Sequence, residues 1–475
     1  MKKLTKLFSG LGVFLALSSA ASAMEVSFEQ DSSLPVVYLN VAVKAGAVTD
    51  PKGQSGLTNF LGEMLLRGTK TRTKEQIDLA LDQMGAKLEV EVRAEALIVR
   101  GAVLKAQLAP FLALMGEILT QPSFNQKEIK KLKSEIISEL EEEMGHDPSL
   151  ASRNFTQFLF RDHPYGKPIL GTQKDIRALN LKRIQAHYEK IFRDSLLLVV
   201  GSGDATPEEV KAWADTLVGP QSSIGQNSAS TKPSESTEVS SPNSAESSTE
   251  KSEIFRVLPP SNSPHRRLLI VDKDVTQTQI NGGQIGIRMT DPRFFPLYLA
   301  NHAFGGGSFS ARLMKEIRVA KGWSYGASSN FRHGLQPRSW MFHLFPKLSD
   351  TVNALAYTIK MVEDLQKNGI TADEFDFAKR SLVNSAGFMY DTSKKRVENK
   401  LLERTLELPD GFMKTYGPEL EKVQLVDVNS DLSDYLQPDK MAISVLGPAD
   451  KLKADLAKAT GVAESAIVVW PYTHE

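Results

Sequence analysis

The chain has 475 residues, with Lys+Arg and Asp+Glu both at 57 and no cysteine. The charge balance excludes a partner selected by net charge alone, whether nucleic acid or an anionic membrane surface. Without cysteine there is neither a disulfide framework nor a thiol for lipid attachment, so stability must come from buried apolar area, which a chain of this length supplies.

The first residues, MKKLTKLFSG then LGVFLALSSAASA, give a cationic start, a short apolar core and Ala21-Ser22-Ala23, the small-x-small pattern of a signal-peptidase site. The apolar run is short for a bilayer span and ends in small residues, which reads as a cleaved leader over 1–23 rather than an anchor. A mature chain beginning near Met24, exported to the periplasm and without a membrane anchor, is expected. No later segment is apolar enough to cross a bilayer.

Beyond the leader, VVYLNVAVKAG alternates as a strand, GLTNFLGEMLLRGT reads as an amphipathic core helix, and TKEQIDLALDQMG is a helix closed by Gly85. AKLEVEVRAEALIVRGAVL reads as a hairpin, LAPFLALMGEILTQ and QKEIKKLKSEIISELEEEM as helices, and LLLVVG as a closing strand. Residues 220–253 hold almost no large apolar side chain and are dominated by Ser, Thr, Glu, Pro and Asn, the composition of a flexible linker. After it, RRLLIVDKD, INGGQIGIRM, WSYGASSNFR, SWMFHLFP and MAISVLG read as strands, and FFPLYLANHAF and SARLMKEIRVAKG as helices.

Sliding one half over the other reveals an internal repeat at a constant shift of 246 residues: Met115 meets Met361, Glu128 meets Glu374, Gly201 meets Gly447 and Asp204 meets Asp450. The reading is a duplicated α+β pair, with an N-terminal domain over 24–219 and a C-terminal domain over 254–475. Each is expected to be a mixed, mostly antiparallel sheet with helices on one face.

Residues 56–69 carry the spacing of a zinc helix whose chemistry has been exchanged. The intact motif, H-x-x-E-H, places two imidazoles four apart with a carboxylate between them to activate a metal-bound water. Here the three positions are Asn59, Gly62 and Glu63. An amide is a poor zinc ligand, and Gly62 leaves the general base without a side chain. The surrounding Ala45, Gly46, Asp50, Gly56, Leu57, Gly68 and Thr69 resemble the frame of the pitrilysin and insulinase metallopeptidases, in their mitochondrial-processing-peptidase-like branch. That resemblance implies a third ligand position about 76 residues on, which falls on Glu139. In a run with Glu135, Glu141, Glu142 and Glu143, Glu139 suits a solvated helix face better than ligand duty. His163, Pro164, Tyr165, Gly166 and Gly171 match the same family, with His163 read as a turn residue before proline.

The second half keeps a different signature. LANHAFGGGSFSARLMKEIRVAKGWSYGASS carries Gly305, Gly306 and Gly307, then Arg318 and Tyr325 seven apart, and resembles the family's R-x-x-x-G-x-x-Y. Gly322 is expected to close a helix, leaving Arg318 in its last turn and Tyr325 just inside the next strand. The resemblance implies that this pair faces zinc across a clam-shell chamber of which this chain forms half, donating hydrogen bonds to substrate carbonyl and oxyanion, with the glycines contacting an extended peptide.

Loss of the zinc ligands beside survival of the Arg/Tyr pair matches the non-catalytic partner in two-chain members. This chain is therefore expected to bind no metal and to associate with a homologous zinc-bearing subunit that cleaves peptides or unfolded segments. Two other readings are a catalytically silent peptide-binding or assembly scaffold, and a self-contained enzyme using Glu63, Glu139 and a distant His. The eight His include no pair four apart.

Overall fold

The computed structural model describes residues 24–218 and 257–475; the expected leader and nearly all of the expected linker lie outside them. The first unit contains β1 (Met24–Gln30), β2 (Val36–Val43), α1 (Leu57–Leu65), α2 (Lys74–Met84), β3 (Lys87–Val92), β4 (Leu97–Leu104), α3 (Leu108–Thr120) and α4 (Gln126–Gly145). It continues with α5 (Asp147–Phe160), α6 (Gln173–Ala178), α7 (Leu181–Asp194), β5 (Leu197–Gly203) and α8 (Pro207–Val218). The second contains β6 (Arg267–Asp272), β7 (Gln279–Ile285), α9 (Phe294–Asn301), β8 (Ser324–Phe331), β9 (Ser339–Pro346), α10 (Thr351–Asn368), α11 (Ala372–Ala386), α12 (Ser393–Thr405) and β10 (Ala442–Gly447), then β11 (Val468–Pro471).

The duplication is visible in topology. One sheet runs β1-β5-β2-β4-β3 and the other β6-β10-β7-β9-β8, the same order with β11 added outside β6. In each, the pairing is antiparallel except at the outer strands: β1 with β5, β6 with β10, and β11 with β6 are parallel. β3 and β8 are the free edges at corresponding ends.

Alternation along the strands feeds two layers. Val37, Leu39, Val41 and Val43 of β2 point into the unit's own helices, whereas Ala42 points to the opposite face with Ile98, Leu198 and Val200. That opposite face is covered by Val397 and Leu401 of α12, a helix of the other unit. The exchange is reciprocal. Leu150, Ala151, Phe155 and Phe158 of α5 cover the corresponding face of the second sheet, against Leu269, Val271, Ile285, Ala442 and Leu446. α5 and α12 begin at Asp147 and Ser393, the 246-residue interval of the repeat. Thus the expected arrangement, helices on one face, describes each unit's own helices, and the opposite face is closed by a helix lent from its twin.

Ion pairs flank the apolar seam of α12: Arg396 reaches Asp31 and Glu29, Arg404 lies 2.6 Å from Glu25, and Glu398 pairs with Arg100. On α5, the Arg267 guanidinium sits 4.4 Å over the Phe158 ring and Lys273 lies 2.7 Å from Asp147.

α1 is held at its N-terminus by one buried carboxylate. Gly56 adopts φ +87°, a left-handed conformation that a side chain resists. Its N–H donates to Asp50 Oδ2 at 2.8 Å, while the N–H and hydroxyl of Thr58 donate to Oδ1 at 2.8 and 2.6 Å. With Thr58 Oγ1 donating to Asp50, the neighbouring His187 Nε2 at 2.8 Å must be the protonated nitrogen and donate to Thr58. Burial keeps that imidazole neutral, lowering its pKa to about 4. Asp50 is 3% exposed, and desolvation raises its pKa to about 6 against the pull of the three hydrogen bonds.

Two outcomes follow for stability. Phe155→Ala and Leu401→Ala, each 1% exposed in the exchanged seams, should lower the unfolding free energy by about 3–5 and 2–5 kcal/mol in urea melts. Changes below about 0.5 kcal/mol would contradict a structural role for the exchange. The Asp50 carboxyl binds its proton more tightly folded than unfolded, so its contribution to stability is greatest below about pH 4 and falls as pH rises toward 6. The stability of the unsubstituted protein relative to Asp50→Asn should fall by about 3 kcal/mol between about pH 3 and about pH 7. A flat difference would contradict this placement of the carboxylate.

Candidate functional site

The three positions of the zinc motif lie on α1 as the sequence spacing requires, but their surroundings are built for packing. Gly62 is buried under β3, and a Cβ there would stand 2.8 Å from Val90 Cγ1 and 3.3 Å from Val92 Cγ2. Val90 is β-branched and stiff about χ1, so a carboxylate at 62 demands that the strand retreat. Asn59, one turn earlier, is half-buried.

Glu63 faces α4, where the 76-residue register brings Glu139 close. Burial, opposed by Arg67 and reinforced by the charges of Glu139 and Glu135, raises its carboxyl pKa. Arg67 is the local counterion, pairing with Glu135 and lying 3.5 Å from Glu128. Glu139 is itself raised, by burial and then by Glu143 and Glu142. The face therefore offers an amide, a hydrogen atom and two carboxylates, one of them beside an arginine. This donor set does not fit a zinc ion of the H-x-x-E-H type, which needs two imidazole nitrogens and a carboxylate. Among the described residues no group of three or more His, Cys, Asp and Glu is arranged to hold a metal ion.

His163 sits away from this face as a turn residue. Its Nδ1 accepts from the Tyr165 N–H at 3.1 Å and its Nε2 donates to the Leu258 carbonyl at 2.7 Å.

The second signature is arranged differently. The segment expected as an α-helix over 310–322 is a π-helix at Met314–Ala320, with the Lys321 N–H reaching back five residues to the Glu316 carbonyl at 3.0 Å. The wider turn is a correction to the expected helix, and such turns recur at functional sites. Gly322, at φ +67°, donates to the Arg318 carbonyl at 3.1 Å and ends the segment as expected. Arg318 occupies the last turn.

The chain then enters β8 through a bulge between Ser324 and Ala327. Ser324 Oγ pins it, donating to the Gly326 carbonyl at 2.7 Å and accepting from the Phe345 N–H at 3.0 Å. Gly326 lies over the Phe345 ring, where a Cβ would stand 2.7 Å from the ring edge. Bulges re-aim side chains, and here Tyr325 projects from the edge strand, 70% exposed. Arg318 and Tyr325 line one cleft of about 270 Å³ with Gln277, Trp323, Phe345 and Lys347. The Arg318 guanidinium packs 4.9 Å from the ring of Phe309, itself 61% exposed.

The glycine run has divided duties. Gly305 is buried, with Ser329 Oγ 2.4 Å from where a Cβ would be, so it seats the helix end on β8. Asn301 locks that junction, its amide oxygen accepting from Ser329 Oγ at 2.7 Å and Trp340 Nε1 at 2.9 Å. Gly306 is exposed and Gly307 half-buried. The positive φ of this turn falls on Ser308, at 54°. Sequence reasoning missed Phe309 and Lys347: an isolated aromatic in a serine-rich turn and a lysine after a strand carry no spacing signal. It also missed the Asp50–Thr58–His187 chain, whose partners are 129 residues apart.

Comparison with known proteins matches this geometry to a family. The family model "Insulinase (Peptidase family M16)" matches residues 25–173, and "Peptidase M16 inactive domain" matches residues 178–382. A Helicobacter pylori protein named non-peptidase homolog YmxG is 24% identical over 454 residues, covering 93% of this chain and 98% of that protein. A crystal structure described as the peptidase M16 inactive domain from Pseudomonas fluorescens superposes with a TM-score of 0.77 at 21% identity, over 90% of this chain and 96% of the other. A protease structure from Helicobacter pylori gives 0.74 at 16% identity, over 90% and 98%. The two structures share the fold. With the insulinase model over 25–173 and the M16 inactive-domain model over 178–382, the chain belongs to the insulinase family, peptidase family M16.

Proposed function

We propose that this chain is the zinc-less subunit of a two-chain metallopeptidase in the periplasm, completing the site of a homologous partner that carries H-x-x-E-H. The observation that carries the reading is an asymmetry. Val90 is packed where the general base would stand, whereas Arg318 and Tyr325 project into an open cleft. Among the described residues neither is tied to a carboxylate: Arg318 rests on the Phe309 ring.

The chemistry suits those two groups. Arg318 stays protonated through any working pH and acts as a fixed donor. The Tyr325 phenol donates one hydrogen bond from a strand whose backbone Ser324 pins at the bulge. Directed at the oxygen of a scissile peptide, the pair stabilises the charge that develops there and orients an extended substrate. The partner's zinc supplies water activation and carbonyl polarisation. The substrates are peptides or unfolded segments able to enter a chamber between the two subunits, of which this chain forms one half. The chain reaches the periplasm through a leader cleaved near residue 23.

A second reading, a peptide-binding or assembly scaffold, is favoured by the name non-peptidase homolog carried by the Helicobacter pylori relative. Under that reading the partner lacks a zinc motif.

The isolated chain should carry well under one zinc per molecule by elemental analysis after metal-free dialysis; one retained equivalent would contradict the proposal. Mixing it with a zinc-bearing relative from the same organism should restore peptide cleavage. In that mixture, Arg318→Ala or Tyr325→Phe should lower kcat/KM by about 10²–10³-fold, the loss typical of one oxyanion donor. Full activity in both variants would contradict the composite site and favour the scaffold.

A further inference from the structure

The cleft around Arg318 has a charge character that the composite-site reading does not require. Its lining includes two cations, Arg318 and Lys347, three aromatic rings, Trp323, Tyr325 and Phe345, and no carboxylate. The other polar side chains are already committed. Gln277 Nε2 donates to the Phe345 carbonyl at 3.0 Å, and Ser324 Oγ both donates and accepts within the bulge. The nearest acidic side chain along the helix, Glu316, is held by the Tyr357 hydroxyl at 2.9 Å. Lys321 extends the cationic rim, with Nζ 5.7 Å from the Trp323 ring centroid and 5.2 Å from that of Tyr357.

Lys347 directly follows β9 and pairs with Gln277 in an isolated β-bridge, so its backbone is fixed while its side chain is exposed. Among the described residues it has no ion-pair partner. By contrast, Arg312, on the same segment as Arg318, pairs with Glu374, and Arg293 lies 2.8 Å from Asp291. In a chain with equal numbers of cations and anions, two adjoining cations without a counterion leave their donors for a ligand. An ammonium and a guanidinium offer only donors, so the matching group is an acceptor carrying negative charge.

We propose that this cleft is a carboxylate-selective peptide subsite. Lys347 is its specificity-determining residue, and the Trp323, Tyr325 and Phe345 rings are the wall for the side chain next to the carboxylate. The inference rests on the reading that Arg318 and Tyr325 face bound peptide, but it assigns Lys347 a role in choosing that peptide. The carboxylate comes from an acidic side chain or from a peptide C-terminus, and both present the same acceptor pair.

Fluorescence anisotropy with the purified full-length chain separates these sources. Three labelled peptides of one sequence suffice: internal Glu with an amidated end, internal Gln with a free end, and internal Gln with an amidated end. At least one carboxylate-bearing peptide should bind about tenfold more tightly than the neutral one, the scale of a charge-assisted hydrogen bond. The stronger of the two identifies the source. The advantage should vanish in Lys347→Met and reverse in Lys347→Glu, with unchanged thermal melting showing that both variants fold. Equal binding of all three peptides, no measurable binding, or a preference retained in Lys347→Met would overturn the proposal. Loss of the preference with an Arg318-dependent, active mixture would sink this inference alone. A preference dependent on Lys347 in an inactive mixture would sustain it and remove the composite site.

Discussion

The reciprocal loan of α5 and α12 is the constraint on which the rest of the structure depends. A mixed sheet with helices on one side leaves an apolar second face, and each unit covers that face with a helix of its twin. Neither unit can bury both of its faces alone. The relative placement of the two sheets is therefore set by packing inside the chain, and with it the relative placement of the overwritten zinc helix and the Arg318 cleft. The apolar seam supplies the cohesion, and the Arg396, Arg404 and Arg100 ion pairs at its margins fix the register of α12.

Within that shared frame the halves have taken opposite paths. In the first, the face that carries the zinc-motif positions is packed: Gly62 admits Val90, Glu63 and Glu139 face each other with Arg67 nearby, and Asp50 caps the helix from within. The apolar contact of Gly62 with Val90 and the three hydrogen bonds to Asp50 fix the helix in place, while burial, reinforced by neighbouring carboxylates, raises the pKa of the Glu63 and Glu139 carboxyls. In the second, the backbone around the cleft departs from regular geometry. A π-turn, a bulged edge strand and a positive φ at Ser308 are all costlier than regular alternatives. At these irregularities Tyr325 stands exposed on the edge strand and Arg318 lies half-buried against the Phe309 ring, both lining the cleft.

Much of this was legible in the sequence, for identifiable reasons. The alternation in VVYLNVAV and LIVRGAVL, the Thr73 and Gly85 helix boundaries, and the constant 246-residue shift are local or periodic signals, and the fold follows them. The sequence positions of Asn59, Gly62, Glu63, Glu139, Arg318 and Tyr325 also translate directly into places on elements, because motif spacing fixes helix faces. What escaped was non-local. The covering role of α5 and α12 depends on a surface made by residues more than one hundred positions away. The π-helix depends on bonds five residues back that composition does not specify, and Lys347 joins Arg318 only once β9 returns beside β8.

The central claim is spatial: this chain's guanidinium and phenol enter a cavity whose reacting centre belongs to another polypeptide. A structure of the complex with a zinc-bearing relative and an uncleaved peptide tests it most directly. The account predicts the Arg318 guanidinium and the Tyr325 hydroxyl at about 3 Å, hydrogen-bond distance, from oxygens of the peptide held at the partner's active site. Finding both groups turned away from that peptide, or sealed in the subunit interface, would contradict it.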